Sequence, residues 1–175
     1  SELARAALNE EAGRIDQAAL DESFGEIISY ERERGRDVLS VEARALILKK
    51  EFDLRLQLSG KGGETKVPAE LRDLLQRAQN EYRAAVALRE AEPPNAKAMA
   101  TLLTAAAECF LPGSPGDKEA ERYLRRALAL DPQREGLRYL LARLLQERDE
   151  REAKVEATRL LNEELELHPE FKPAR

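Results

Sequence analysis

The chain has no tryptophan, one cysteine, one histidine and one methionine. Each shortage excludes something. Without Trp, and with Phe and Tyr held to four each, the sequence lacks the aromatic content of a β-rich fold. The lone Cys109 can form no internal disulfide, and its setting in the apolar stretch TLLTAAAECF makes it a small buried hydrophobe rather than a reactive thiol. The lone His168 lies 59 positions from Cys109, so spacing offers neither a zinc set nor a Cys–His nucleophile pair. No basic block offsets the net charge of -5, which argues against a nucleic-acid surface. No run approaches the roughly 20 apolar residues of a membrane span. No signal-peptide n-region and h-region are visible either, so the chain reads as soluble without direct membrane insertion. Its location is cytoplasmic by default, or periplasmic if a leader or anchor was removed ahead of Ser1.

What remains is a helical composition. Leu, Ala, Glu and Arg dominate 175 residues, of which 36% are charged. Residues 1 to 12 can form a short helix ended by Gly13. Asp16 suits the N-cap of a helix running to Arg34, which Gly35 stops. Ser40 is placed to cap a helix over 41 to 58. Val41, Ala45, Leu48 and Phe52 form one stripe of it, and Leu46, Ile47, Leu54, Leu56 and Leu58 widen that stripe enough to be covered on two sides. Pro68 fits the first turn of a long helix, 68 to 91, which Pro93 and Pro94 end. Asn95 caps a helix over 96 to 110, and after LPGSPG, Asp117 caps the next, which ends at Asp131-Pro132. A leucine-lined helix over 134 to 147 and a final helix stopped by Pro169 complete the chain.

The stretch Ser59 to Lys66, SGKGGETK, is the clearest interruption. Its glycines and lysine do not have the G-x-x-x-x-G-K-[ST] spacing of a phosphate cradle, and a helix rather than a strand precedes them, so it reads as a loop. The acidic runs alternate with Arg and Lys at helical spacing, as solvated faces do, and ERERGR is mixed in sign. No catalytic, cofactor-binding or metal-binding set emerges, and an enzyme is not expected.

The strongest internal pattern is a repeat. KEAERYLRRALALDP (118 to 132) and KVEATRLLNEELELHP (154 to 169) match at Ala120 and Ala157, Leu124 and Leu161, Leu128 and Leu165, Leu130 and Leu167, and Pro132 and Pro169. Every pair is 37 positions apart, a period in the range of solenoid arrays.

These residues resemble the tetratricopeptide repeat (TPR) family. Ala120, Leu124, Ala127 and Pro132 supply the second-helix pattern of one unit, and Ala157, Leu161 and Pro169 that of the next, with Ala142 the small residue facing it and Glu164 standing where a further small residue belongs. Ala78, Tyr82 and Ala85 repeat the spacing in a degenerate earlier unit. The units run longer than the family's roughly 34 residues, and the first-helix aromatics are missing. The resemblance implies an all-α fold: a right-handed α-solenoid over 68 to 175, preceded by an N-terminal helical segment (1 to 58) and the glycine-rich loop (59 to 67).

It also implies a concave surface lined by the first helix of each pair. Met99, Leu103 and Phe110 would supply an apolar part, and Tyr139, Arg143 and Gln146 a polar one, suited to an extended or helical peptide. Core packing of Met99, Leu103 and Phe110 against residues 1 to 58 is the alternative. Arg143 stands where the family's carboxylate clamp needs an Asn, so that function does not carry over. The expected function is a non-catalytic protein–protein interaction module, an adaptor or scaffold with a protein or peptide partner. A homodimer through the uncapped last helix is a further expectation. Residues 13 to 58 resemble the N-terminal helical region of SurA-type periplasmic chaperones and parvulin isomerases, which implies a holder of unfolded clients with exposed apolar surface on 15 to 58. An accessory domain of a larger enzyme or complex is the third reading.

Overall fold

A computed structural model describes residues 8–9, 14–15, 17–59, 67–111 and 118–172. Gly13, Asp16, most of the glycine-rich stretch, PGSPG and Asp117 lie outside them. Seven helices carry nearly all of the described chain: α1 (Gln17–Arg34), α2 (Val38–Leu58), α3 (Arg72–Glu90, entered through a 3-10 turn over Ala69–Leu71), α4 (Ala96–Phe110), α5 (Lys118–Leu130), α6 (Leu137–Gln146) and α7 (Arg151–Leu167). The expected helix over 1 to 12 is corrected where it can be seen, because Leu8–Asn9 pairs antiparallel with Arg14–Ile15 as a two-residue ladder.

The chain forms two compact units, residues 1–93 and 94–175. The boundary therefore falls at Pro93–Pro94 instead of in the glycine-rich stretch, and α3 joins the N-terminal helices. The reason lies in α2 and α3, which pack on each other extensively. Arg89 near the end of α3 binds Glu42 near the start of α2 at 2.8 Å, and Arg36, just ahead of α2, binds Glu81 of α3 at 2.6 Å.

In the first unit α2 is covered on two sides, as its sequence predicts. Leu20 of α1 packs with Ile47 and Leu54 on one side. Val41, Ala45, Leu48 and Phe52 are buried on another stripe, and Ala78, Tyr82 and Ala85 of α3 are buried too. The widening is only partial, for Leu46 and Leu58 stay exposed. The cap also differs from expectation. Asp37, not Ser40, is the N-cap: its Oδ1 accepts the Ser40 N–H at 2.9 Å, while Ser40 Oγ accepts the Asp37 N–H, a capping box that starts the helix three residues early. Gly35 ends α1 with φ +84°, a left-handed geometry that a side chain would strain.

In the second unit consecutive helices pack pairwise, α4 with α5 and α6 with α7, and α5 joins the pairs through α6. Of the matched positions Ala120, Leu124 and Ala157 are fully buried, as are Ala127 of α5 and Ala142 of α6, while Leu128 and Leu161 are half-buried and Leu130 is exposed. Leu165 and Leu167 are exposed, so those matches lie outside the core. Asn95 caps α4 as expected, accepting the Ala98 N–H at 3.0 Å. Helix α6 begins three residues later than predicted, because Arg134 N–H closes a turn onto Asp131 O and Gly136 then adopts φ +84°.

Candidate partner-binding surface

The six residues expected to line a partner surface fall into two groups. Leu103 and Phe110 are buried and Met99 nearly so, and Phe110 packs edge-to-face on Tyr123 at 5.8 Å. The apolar half of the expected surface is thus interior. Its spacing along α4 is that of a core stripe, and side chains already surrounded by neighbours offer a partner nothing to touch.

The other three stand on α6. Tyr139 is half-buried, whereas Arg143 and Gln146 are exposed. Phe171 packs edge-to-face on the Tyr139 ring at 5.4 Å. The Arg143 guanidinium lies 5.8 Å from that ring's centroid, within cation–π range. Arg143 has no carboxylate partner among the described residues, in a unit where Arg125, Arg138 and Arg159 each bind one. The Gln146 side chain likewise has no hydrogen bond there.

The opposite side of α6 is held by its leucines and by an ion pair at its end, beside a pair that joins α5 to α7. Leu137, Leu141, Leu144 and Leu145 are buried. Arg148, just past its C-terminus, binds Glu121 of α5, and Arg125 of α5 makes a bidentate pair with Glu156 of α7 at 2.8 and 2.9 Å. Burial alone would raise the Glu121 pKa, but the bonds from Arg125 and Arg148 outweigh it and hold the carboxyl below its ordinary value. Hydrogen bonding from Arg125 does the same for Glu156.

Sequence reasoning missed the function of Glu164. It is 1% exposed, and its carboxylate accepts the Gly136 N–H at 2.6 Å and the Arg138 N–H at 3.2 Å. Gly136 has no side chain with which to cap α6, so α7 supplies the acceptor, placed where the helix dipole favours an anion. The same repeat position in α5 is Ala127, where α4 is capped by its own Asn95. That contrast was the available signal.

His168 is the C-cap of α7, its backbone N–H donating to Glu164 O at 2.8 Å. Among the described residues no group of three or more His, Cys, Asp or Glu could hold a metal ion, and no helix is long and apolar enough to cross a membrane. Comparison with family models, curated proteins and solved structures gave no match.

Proposed function

We propose that the protein is a non-catalytic interaction module whose second unit binds a partner peptide or helix on the outer face of α6, in the manner of a TPR-like pair of helix hairpins. The reading rests chiefly on Arg143: an exposed, carboxylate-free guanidinium poised on Tyr139, carried by a helix locked on its other side. An arginine on an aromatic ring beside a free amide is suited to an acidic or carboxylate-bearing peptide, with Gln146 reading its backbone. The 37-residue repeat and its buried alanines support the resemblance to TPR units. Phe171 covers part of Tyr139, so a ligand that uses this ring competes with the chain's own segment.

The test is a pull-down with the full chain, wild type beside the Tyr139→Ala, Arg143→Ala double variant, with retained proteins identified by mass spectrometry. One or two proteins held by wild type and lost by the variant is the expected result. Equal retention by both would overturn the α6 surface.

A holder of unfolded clients is the second reading, favoured by the exposed Ile28, Leu39, Leu46 and Leu58 of α1 and α2. It predicts many weakly held proteins in the same pull-down, unchanged by the α6 variant. Exposed Val155 and Leu165 on α7 keep a homodimer in the account, and a monomer by sedimentation at high concentration would remove it.

A further inference from the structure

Between α1 and α2 lies an open cleft of about 310 Å³ lined by Ile27, Tyr30, Leu39, Ala43 and Leu46, with Glu26 at its edge. We propose that this cleft docks a basic amphipathic helix of a partner protein. The partner's apolar face would fill the space around Ala43, and its lysines or arginines would meet the carboxylates of Glu22, Glu26 and Glu33.

The lining selects the occupant. Leu39, Ala43 and Leu46 stand at i, i+4 and i+7 on α2, and both leucines are half or more exposed, at 61% and 50%. A small residue between two leucines leaves a hole of the shape that a large side chain of a facing helix enters. The hydroxyls of the floor are already engaged. Ser23 donates to Ala19 O at 2.9 Å, Ser40 to Asp37 O at 3.0 Å, and Tyr30 to Asp37 Oδ2 at 2.7 Å. A small-molecule site needs converging polar groups to orient its ligand. This floor offers none, whereas a helix lying in a groove needs only apolar anchors at helical spacing.

The charge at the edge selects the partner's sign. Glu26 lines the cleft, and Glu22 and Glu33 fall on the same stripe of α1. None of these side chains has a hydrogen bond or ion pair among the described residues, so the acids outnumber the one cation there, Arg34, which lies 5.6 Å from the Tyr30 ring centroid. Other acids of the unit are matched: Glu31 with Arg44, Glu42 with Arg89, Glu51 with Arg55, Asp53 with Lys49, Glu81 with Arg36. Unmatched like charges four residues apart on a helix disfavour it slightly, so the stripe does nothing for the fold. Opposite an apolar groove, it supplies the complement of a basic rim.

The experiment uses the full chain and a fluorescein-labelled peptide of about 18 residues with leucines at i, i+3, i+4 and i+7 and lysines elsewhere, a sequence that forms a basic amphipathic helix. Binding is read by fluorescence anisotropy, and circular dichroism checks the fold of each variant. Leu39→Glu with Leu46→Glu should weaken binding by at least about tenfold, and Glu22→Gln with Glu26→Gln and Glu33→Gln by about tenfold with a flatter salt dependence. Replacing the lysines of the peptide by glutamate should also abolish binding. A variant with Glu147, Glu150 and Glu152 changed to Gln, which alters net charge equally but elsewhere, should bind within about twofold of wild type. Equal weakening by the two glutamine triples would mean unspecific attraction and overturn the proposal. So would indifference to the leucine changes. A wild-type dimer in sedimentation that Leu46→Glu disperses would assign the cleft to a second copy of the chain and overturn it too.

Discussion

Glu164 of α7 binds the amide of Gly136 at 2.6 Å, so one helix supplies the cap that the preceding helix lacks. Its second oxygen takes the Arg138 N–H, and two of the orphan donors at the start of α6 are satisfied by a buried carboxylate. The α6–α7 pair is therefore held by a polar contact at one end as well as by the buried leucines of α6.

Removing that carboxylate should be costly. Glu164→Ala leaves two buried amides without an acceptor, and a loss of about 1–3 kcal/mol is expected in urea denaturation. Glu164→Gln keeps the shape and one acceptor, and should lose less. A change within error for both would show that the amides find water instead.

Gly136 should tolerate little. At φ +84° an alanine is strained by about 1–2 kcal/mol, although its Cβ would meet the Phe171 ring at 3.5 Å, an ordinary van der Waals contact. We expect Gly136→Ala to lower the denaturation midpoint. Gly25, inside α1 with open space around it, should become more stable on change to Ala, by up to about 1 kcal/mol.

The link between α5, α6 and α7 gives a pH dependence. Glu121 and Glu156 have lowered pKa values in the fold, so the native state favours their ionised forms. The stability they contribute is present above the unfolded carboxylate value and is lost as pH falls through the folded ones. The denaturation midpoint should thus drop between about pH 5 and pH 3. Glu121→Gln with Glu156→Gln should start lower at neutral pH and fall less steeply. A parallel fall in the double variant would place the acid sensitivity elsewhere.

The capping box of α2 makes a local prediction. Asp37→Ala should cost about 1 kcal/mol, since it removes the acceptor for the Ser40 N–H and the partner of Tyr30. Ser40→Ala removes the return bond at 3.3 Å and the hydroxyl's own bond to Asp37 O at 3.0 Å but keeps the carboxylate cap, and should cost less.

The helices were legible where local chemistry decides them. Asn95, Gly35 and the paired prolines punctuate the chain visibly, and the alanines matched 37 positions apart are buried. What failed was decided by competition between neighbouring groups or by partners distant in sequence. Ser40 looks like an N-cap until Asp37 is seen three residues before it, because either can accept the first amides. The unit boundary was misplaced at the glycines, since α3 is bound to α2 by Arg89–Glu42 and Arg36–Glu81 across more than 40 positions. Met99, Leu103 and Phe110 have the period of both a core stripe and a groove, and periodicity cannot distinguish the two. Glu164 read as a defect in the repeat because its partner, a bare glycine amide, leaves no mark in the pattern.

The central claim, partner binding on the α6 face, is tested most directly by calorimetric titration of the full chain with the protein retained in the pull-down. Arg143→Ala with Gln146→Ala should weaken binding by about tenfold or more, while Phe171→Ala, which uncovers Tyr139, should tighten it by about threefold. Affinities unchanged by both would contradict the account, since the partner would then be held by some other surface of the chain.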